Sequence, residues 1–196
     1  MLEALTGTGL AASSGLNAYI PLLTMGLLAR YSDLIDLPSG WQWLSNGWVV
    51  AILAVLLAIE VVADKIPVVD HFNDVVQTVV RPTAGGLAFG AGSASETVTV
   101  SDPGSFFSTH QWVPVAAGVI IALGVHGLKA VSRPVVNATT AGVGAPVAST
   151  AEDVSSIVMS VLAILLPILV LLMLVVLISS AIWVFRRRRA RRGVLA

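Results

Sequence analysis

Residues 154–185 read VSSIVMSVLAILLPILVLLMLVVLISSAIWVF, 32 consecutive positions without a charge. A spanning helix needs about 20 apolar residues, so this stretch predicts a transmembrane helix with length to spare. Pro167 divides it, and the excess allows tilt, a kink or an extension beyond the lipid. Three more apolar runs lie upstream: 49–63, broken only by Glu60; 112–128, broken only by His126; and 9–29, containing Asn17 and Pro21. Two further stretches are apolar but built from small residues, PTAGGLAFGAGSAS at 82–95 and PVVNATTAGVGAPVAST at 134–150. As helices they would be about 21 and 25 Å long, short for a hydrocarbon core of about 30 Å. Each is read as a short crossing or a re-entrant half-helix, and either needs protein neighbours to satisfy its backbone.

The composition points the same way. Of 196 residues, 56% are hydrophobic and only 11% charged, against about 25% charged in a soluble domain. The absence of cysteine excludes a disulfide scaffold, a thiolate nucleophile and a Cys-based metal site. Eleven basic residues balance eleven acidic ones, but six of the basic residues are packed from Arg186 to Arg192. The remaining chain is acid-biased, which excludes nucleic acid as the main partner. No basic n-region precedes the first apolar run, so no cleaved signal peptide is read.

These segments predict an all-α, polytopic membrane protein with about six apolar segments: one membrane domain, 1–185, and a basic cytoplasmic tail, 186–196. With the arginine tail inside, six crossings place both termini in the cytoplasm. Segments 64–81 and 129–133 are then inner, and 30–47, 96–111 and 151–153 are outer. Ten of the eleven basic residues fall inside and only Arg30 outside, as the positive-inside rule requires. Tyr31, Trp41, Trp43, Trp48 and Trp112 form an outer aromatic belt, with Trp183 at the inner interface. A four-crossing alternative makes both small-residue segments re-entrant and puts Lys129 and Arg133 outside. The tail also suits anionic lipid, at about 1 kcal/mol per basic residue.

The two small-residue segments resemble each other, opening on Arg81-Pro82 and Arg133-Pro134 and closing on serine and an acid. Weak duplication with interrupted helices is a transporter trait. Close helix packing, as through Gly86-x-x-x-Gly90, is the plainer account.

Glu60 and Asp64 lie four apart and share a helix face. His126, Lys129 and Arg133, at spacings of three and four, form a second stripe. An ionised group within the bilayer costs about 2.5–3.5 kcal/mol on insertion scales, so such groups pair or face water. The two stripes are natural partners, either as a polar cytoplasmic vestibule for an ion, a proton or a small anion, or as an ion-pair clamp with Lys129 and Arg133 snorkelling to water.

Between them, Phe72, Val75, Val76, Val79 and Val80 make the apolar face of an amphipathic helix over about 70–80, expected to lie on the inner membrane surface or to dock under the bundle. Its polar side carries Asp70, His71, Asp74 and Gln77. Asp70, His71 and Asp74 could bridge a divalent cation to a phosphate, but no complete ligand set is present, and neither a metal nor a cofactor is expected. Ser149 with Glu152 fits a capping box ahead of the long final helix, with Asp153 also favoured by the helix dipole. Secondary site candidates are Asn17, Asp70, His71, Asp74, Arg81, Glu152 and Asp153.

The run EVVADKIPVVD at 60–70, continuing to Asp74 and Arg81-Pro82, is similar to a family of small bacterial membrane proteins, the domain-of-unknown-function 4126 family. GLNAYIP at 15–21 and STAED at 149–153 fit the same family. The resemblance implies a bacterial inner-membrane protein and brings no established activity, so no residue roles carry over. Three functions follow from the residues: a small-solute or ion transporter, with proton linkage as one form; a non-catalytic accessory or assembly subunit of a larger membrane complex; and, far behind, a metal-assisted lipid-phosphate enzyme. The partners expected are lipid and either further copies of the chain or a larger membrane complex. No nucleophile elbow, phosphate loop or HExxH motif supports an enzyme.

Overall fold

The computed structural model describes residues 2–93, 112–140, 143–172, 175–176 and 179, the side chains of 67, 68, 70 and 71 excepted. The arginine tail, Trp183 and the segment 94–111 lie outside the described residues. The described helices are α1 (Leu2–Leu16), α2 (Tyr19–Tyr31), α3 (Gly47–Ala63), α4 (Pro67–Gly92), α5 (Trp112–Thr140) and α6 (Gly144–Leu165), with a 3-10 segment at Ser39–Ser45 before α3. Among the described residues there is no strand. Among the described residues two helices, α5 and α6, are long and apolar enough to cross a membrane, or three spans if the 3-10 segment and α3, bent by 61°, count as one. The all-α architecture with apolar spans therefore stands, and 49–63 and 112–128 lie in α3 and α5 as expected, but three of the six expected segments are arranged differently.

The first correction concerns 9–29, expected to be a crossing interrupted or kinked at Asn17 and Pro21. The chain breaks at Asn17, whose side-chain Oδ1 accepts the backbone N–H groups of Tyr19 and Ile20 at 3.1 and 3.3 Å and so starts a new helix. A continuous helix would separate Leu2 from Met25 by about 34 Å. Instead Leu2, Glu3 and Thr6 line one cavity together with Met25, Ile35 and Leu37. α1 and α2 are thus the two arms of a hairpin. At about 22 and 20 Å, each arm is too short to span, so the first apolar run is re-entrant rather than the two small-residue segments.

Those two segments are corrected as well. Residues 82–95 do not start a helix: Pro82 lies inside α4, which runs unbroken from the supposed surface helix. Residues 134–150 are divided between the end of α5, which contains Pro134, and the start of α6. Among the described residues they are not equivalent elements: 82–92 ends one helix, while 134–150 is split between two. Ser149, Glu152 and Asp153 lie within α6 rather than capping it. Farther on, a Cβ at Gly9 would meet Ala163 Cβ at 2.6 Å and Val170 Cγ2 at 2.8 Å. Seven residues of straight helix would separate those two by about 10 Å, so the chain folds over at Leu166–Pro167 instead of continuing as one long helix.

The supposed surface helix has its faces reversed. Phe72 and Val79 are 75% and 70% exposed, while Gln77 and Arg81 are 2% and 0% exposed. Lipid is as apolar as a protein core, so burial selects the polar stripe, and the valines form the outside of the bundle. Close packing comes from small residues, as expected. Gly85 of α4 meets Gly118 and Ala122 of α5, and a Cβ at Gly15 of α1 would lie 2.6 Å from Val125 Cβ. α1 is held to α6 by Ser13, whose Oγ lies 2.7 Å from both Ser156 Oγ and Ser160 Oγ.

These contacts give the bundle two ends. Tyr31, the 3-10 segment, Trp48 and Trp112 lie with Leu2 at an aromatic end; the α3–α4 turn and the α5–α6 turn lie at the far end.

Candidate functional site

The sequence dictates three polar stripes on otherwise apolar helices, and antiparallel packing brings them face to face. Glu60 and Asp64 close α3; Asn73, Gln77 and Arg81 recur every four residues on α4; His126, Lys129 and Arg133 mark one face of α5. Glu152 of α6 completes the set. Glu60, Asp64, Arg81, His126, Lys129 and Arg133 are all at most 4% exposed.

Arg81 is the hub. Its Nη2 donates to Glu60 Oε1 at 2.9 Å and its Nε to the same oxygen at 3.3 Å. Its Nη2 also reaches Asp64 Oδ2 at 3.5 Å. Its Nη1 lies 3.1 Å from His126 Nδ1. Guanidinium only donates, so Nδ1 accepts and the ring proton sits on Nε2. That nitrogen then donates to Thr78 Oγ1 at 3.2 Å, and Thr78 donates to the Asp74 carbonyl at 2.8 Å. His126 is accordingly neutral in this arrangement.

Asp64 is the most engaged acid. Oδ1 accepts from Asn73 at 2.7 Å, and Oδ2 accepts from Lys129 at 2.7 Å with Arg133 at 3.5 Å. Lys129 also pairs with Glu152 at 3.1 Å and approaches the Leu16 carbonyl at 3.4 Å, at the tip of the α1–α2 hairpin. Arg133 clamps Glu152 through both oxygens, at 2.6 and 3.3 Å. Three carboxylates (Glu60, Asp64, Glu152) thus meet three cations (Arg81, Lys129, Arg133), and the network is neutral overall. Beside it, Asn17 donates to Asp153 at 3.0 Å, and Asp153 pairs with the half-exposed Lys65 at 3.7 Å.

Two expectations fall here. Lys129 and Arg133 do not snorkel to water; they turn inward. Residues 151–153 were placed on the opposite membrane face from 129–133, yet Glu152 is in direct contact with Lys129 and Arg133. That contact rules out the proposed alternation at α5 and α6. Depth along the helices agrees: Lys129 lies about 26 Å from Trp112 and Glu60 about 18 Å from Trp48. Exposed Val131 and Val135 flank Arg133 on the outside of α5. The charges are therefore enclosed behind apolar helix exteriors rather than open to water.

All five leading candidates converge, joined by Arg81 and Glu152 from the secondary set, with Asn17 and Asp153 at the margin. Asp74 reaches the network through its carbonyl, which accepts from Thr78, and through the charge of its carboxylate near His126. The side chains of Asp70 and His71 lie outside the described residues, and no metal-type cluster occurs among those described. Asn73 and Thr78 were missed, although their place on the polar stripe of 70–80 was the signal that could have found them. The Ser13–Ser156–Ser160 contact carried no sequence signal, since isolated serines in apolar runs are ordinary.

A family model described as Domain of unknown function (DUF4126) matches residues 4–187, and the chain belongs to this family. No curated protein and no solved structure gives a significant match.

Proposed function

We propose that this member of the family is a transporter of a small solute or ion in the bacterial plasma membrane, with Glu60, Asp64, Arg81, His126, Lys129, Arg133 and Glu152 along its polar route. The supporting observation is the neutral six-charge network buried inside an apolar exterior, against the tip of a re-entrant hairpin. Stability is a poor reason for such a network. Buried ion pairs are often matched or bettered by apolar residues of similar size, and each charge costs about 2.5–3.5 kcal/mol at the bilayer centre. Irregular backbone at membrane depth occurs where it is packed in protein or lines a cavity, as in transporters.

The far end is cytoplasmic in this reading, because Lys65, Lys129 and Arg133 lie toward it and Arg30 lies at the aromatic end. The arginine tail is cytoplasmic, against anionic lipid. In the same reading the N-terminus, expected in the cytoplasm, is outside, because Leu2 lies at the aromatic end. Flux of a broad solute panel into liposomes holding the purified protein is the test, alongside Glu60→Gln in cells. Absence of flux together with an intact phenotype would end the transport reading.

A second reading, an accessory subunit of a larger membrane complex, draws on the outer face of α6. There Val147, Thr150, Ala151, Val154 and Ser155 leave an open depression of the kind a neighbouring helix fills. Purification in mild detergent separates the two: a stoichiometric heterologous partner favours the subunit, and a lone homo-oligomer counts against it.

A further inference from the structure

We propose that Glu60 is a proton-exchange site, and that taking up a proton there turns Arg81 into the anchor of a small anion. The inference rests on the transport reading and names its coupling ion and substrate class.

The three buried carboxylates are unequally served. Both oxygens of Asp64 and both of Glu152 accept hydrogen bonds. Glu60 uses only Oε1, for Arg81; its Oε2 is buried without a partner, as is Gln77 Oε1 on the facing helix. The Tyr19 phenol of α2 lies beside Gln77 and within electrostatic reach of Glu60. Glu60 Oε2 and, on α4, Gln77 Oε1 and Asp74 Oδ1 are buried acceptors that lack a donor, and each would cost about 1–3 kcal/mol unsatisfied. A proton on Oε2 supplies one.

The consequence is electrostatic. The charged groups around Glu60 are Arg81 on α4, Asp64 at the end of α3 and Lys129 on α5, with Tyr19 on α2; Glu152 of α6 and neutral His126 stand behind Lys129 and Arg81. With Glu60 ionised, three acids balance three cations. A proton from the aqueous phase leaves two carboxylates against three cations, a net charge of +1. Asp64 is shared among Lys129, Arg133 and, at 3.5 Å, Arg81, and Glu152 pairs with Lys129 and Arg133, so the cation that loses its closest carboxylate is Arg81. Its planar fork matches a carboxylate or phosphate-type anion. Uptake of the proton therefore favours uptake of the anion, the coupling that proton–anion symport needs.

The test is an equilibrium one. Protein in liposomes is titrated and followed by pH-difference infrared spectroscopy. The expected result is a protonated-carboxyl band that shifts on carbon-13 labelling of glutamate, disappears in Glu60→Gln and persists, displaced, in Glu60→Asp. A wild-type spectrum without such a band, or its survival in Glu60→Gln, overturns the proton site. The wild-type spectrum alone can overturn it, so a variant that fails to fold does not shelter the proposal. Chloride, acetate or inorganic phosphate is then added in turn. By reciprocal linkage, an anion preferring the protonated form tenfold raises the titration midpoint by about one pH unit, in wild type but not in Glu60→Gln. No shift with any of the three overturns the anion assignment. A titrating Glu60 in a protein that moves no solute would sink the transport reading alone; flux without a titrating Glu60 would sink this inference alone.

Discussion

The Asp64–Lys129 pair offers the sharpest test of the buried network. Nζ and Oδ2 stand 2.7 Å apart, with side-chain exposures of 1% and 2%. At an effective dielectric of about 20, the attraction between unit charges at that separation is about 6 kcal/mol. Much of it is offset by the cost of removing both ions from water, so the net value of the pair is small. Deleting one partner is another matter, because the other charge stays buried and loses its best compensation. Lys129→Met should cost about 3–5 kcal/mol, and Asp64→Asn a similar amount. Lys129→Met leaves three acids against two cations; Asp64→Asn leaves the reverse. The double variant restores neutrality, two against two. It should therefore be more stable than the sum of the single effects allows, with a coupling of about 2–3 kcal/mol. Unfolding in mixed micelles with increasing denaturing detergent, read by tryptophan fluorescence, gives all four corners of the cycle. Strictly additive single effects would refute the claim that these side chains share one buried field.

Three further outcomes follow from the packing. With no native cysteine, single cysteines at the exposed positions Glu3, Asp36 and Val143 can be labelled without background; Glu3 and Asp36 should react from one side of the membrane and Val143 from the other. Labelling of Glu3 and Asp36 from opposite sides would dismantle the α1–α2 hairpin. Gly85→Val places a branched side chain against Ala122 and the Gly118 carbonyl, and should cost about 1–3 kcal/mol or more in the same unfolding assay. Asn17→Ala removes the acceptor that starts α2 and the donor to Asp153; a loss of about 1–2 kcal/mol is expected, and an unchanged midpoint would contradict the capping role.

The candidate site was more legible than the fold around it. Acids four apart on α3 and bases three and four apart on α5 could be read as facing stripes, because an apolar helix has few ways to satisfy an ionised group. Arg81 and Glu152 ranked lower for opposite reasons. Arg81-Pro82 looked like a segment boundary, since proline usually opens a helix; here the neighbouring helices hold α4 continuous through it. Glu152 looked like a capping acid, because Ser149 stands three residues before it and the long apolar run begins just after. In the bundle it is the counter-ion of Arg133.

By itself, the sequence determined the solvent and the secondary structure. A chain this poor in charge, with long uncharged runs, satisfies its backbone as helices in lipid. It also marked which charges would have to be paired. Only the tertiary structure decided which apolar runs cross and which turn back, because hydropathy measures length in residues and is blind to a break such as that at Asn17. It also decided which face of the helix around 70–80 is inside. In water the valines would be buried; in lipid the same 3.6-residue pattern turns Asn73, Gln77 and Arg81 inward, and no count of residues along the chain records which solvent a face meets.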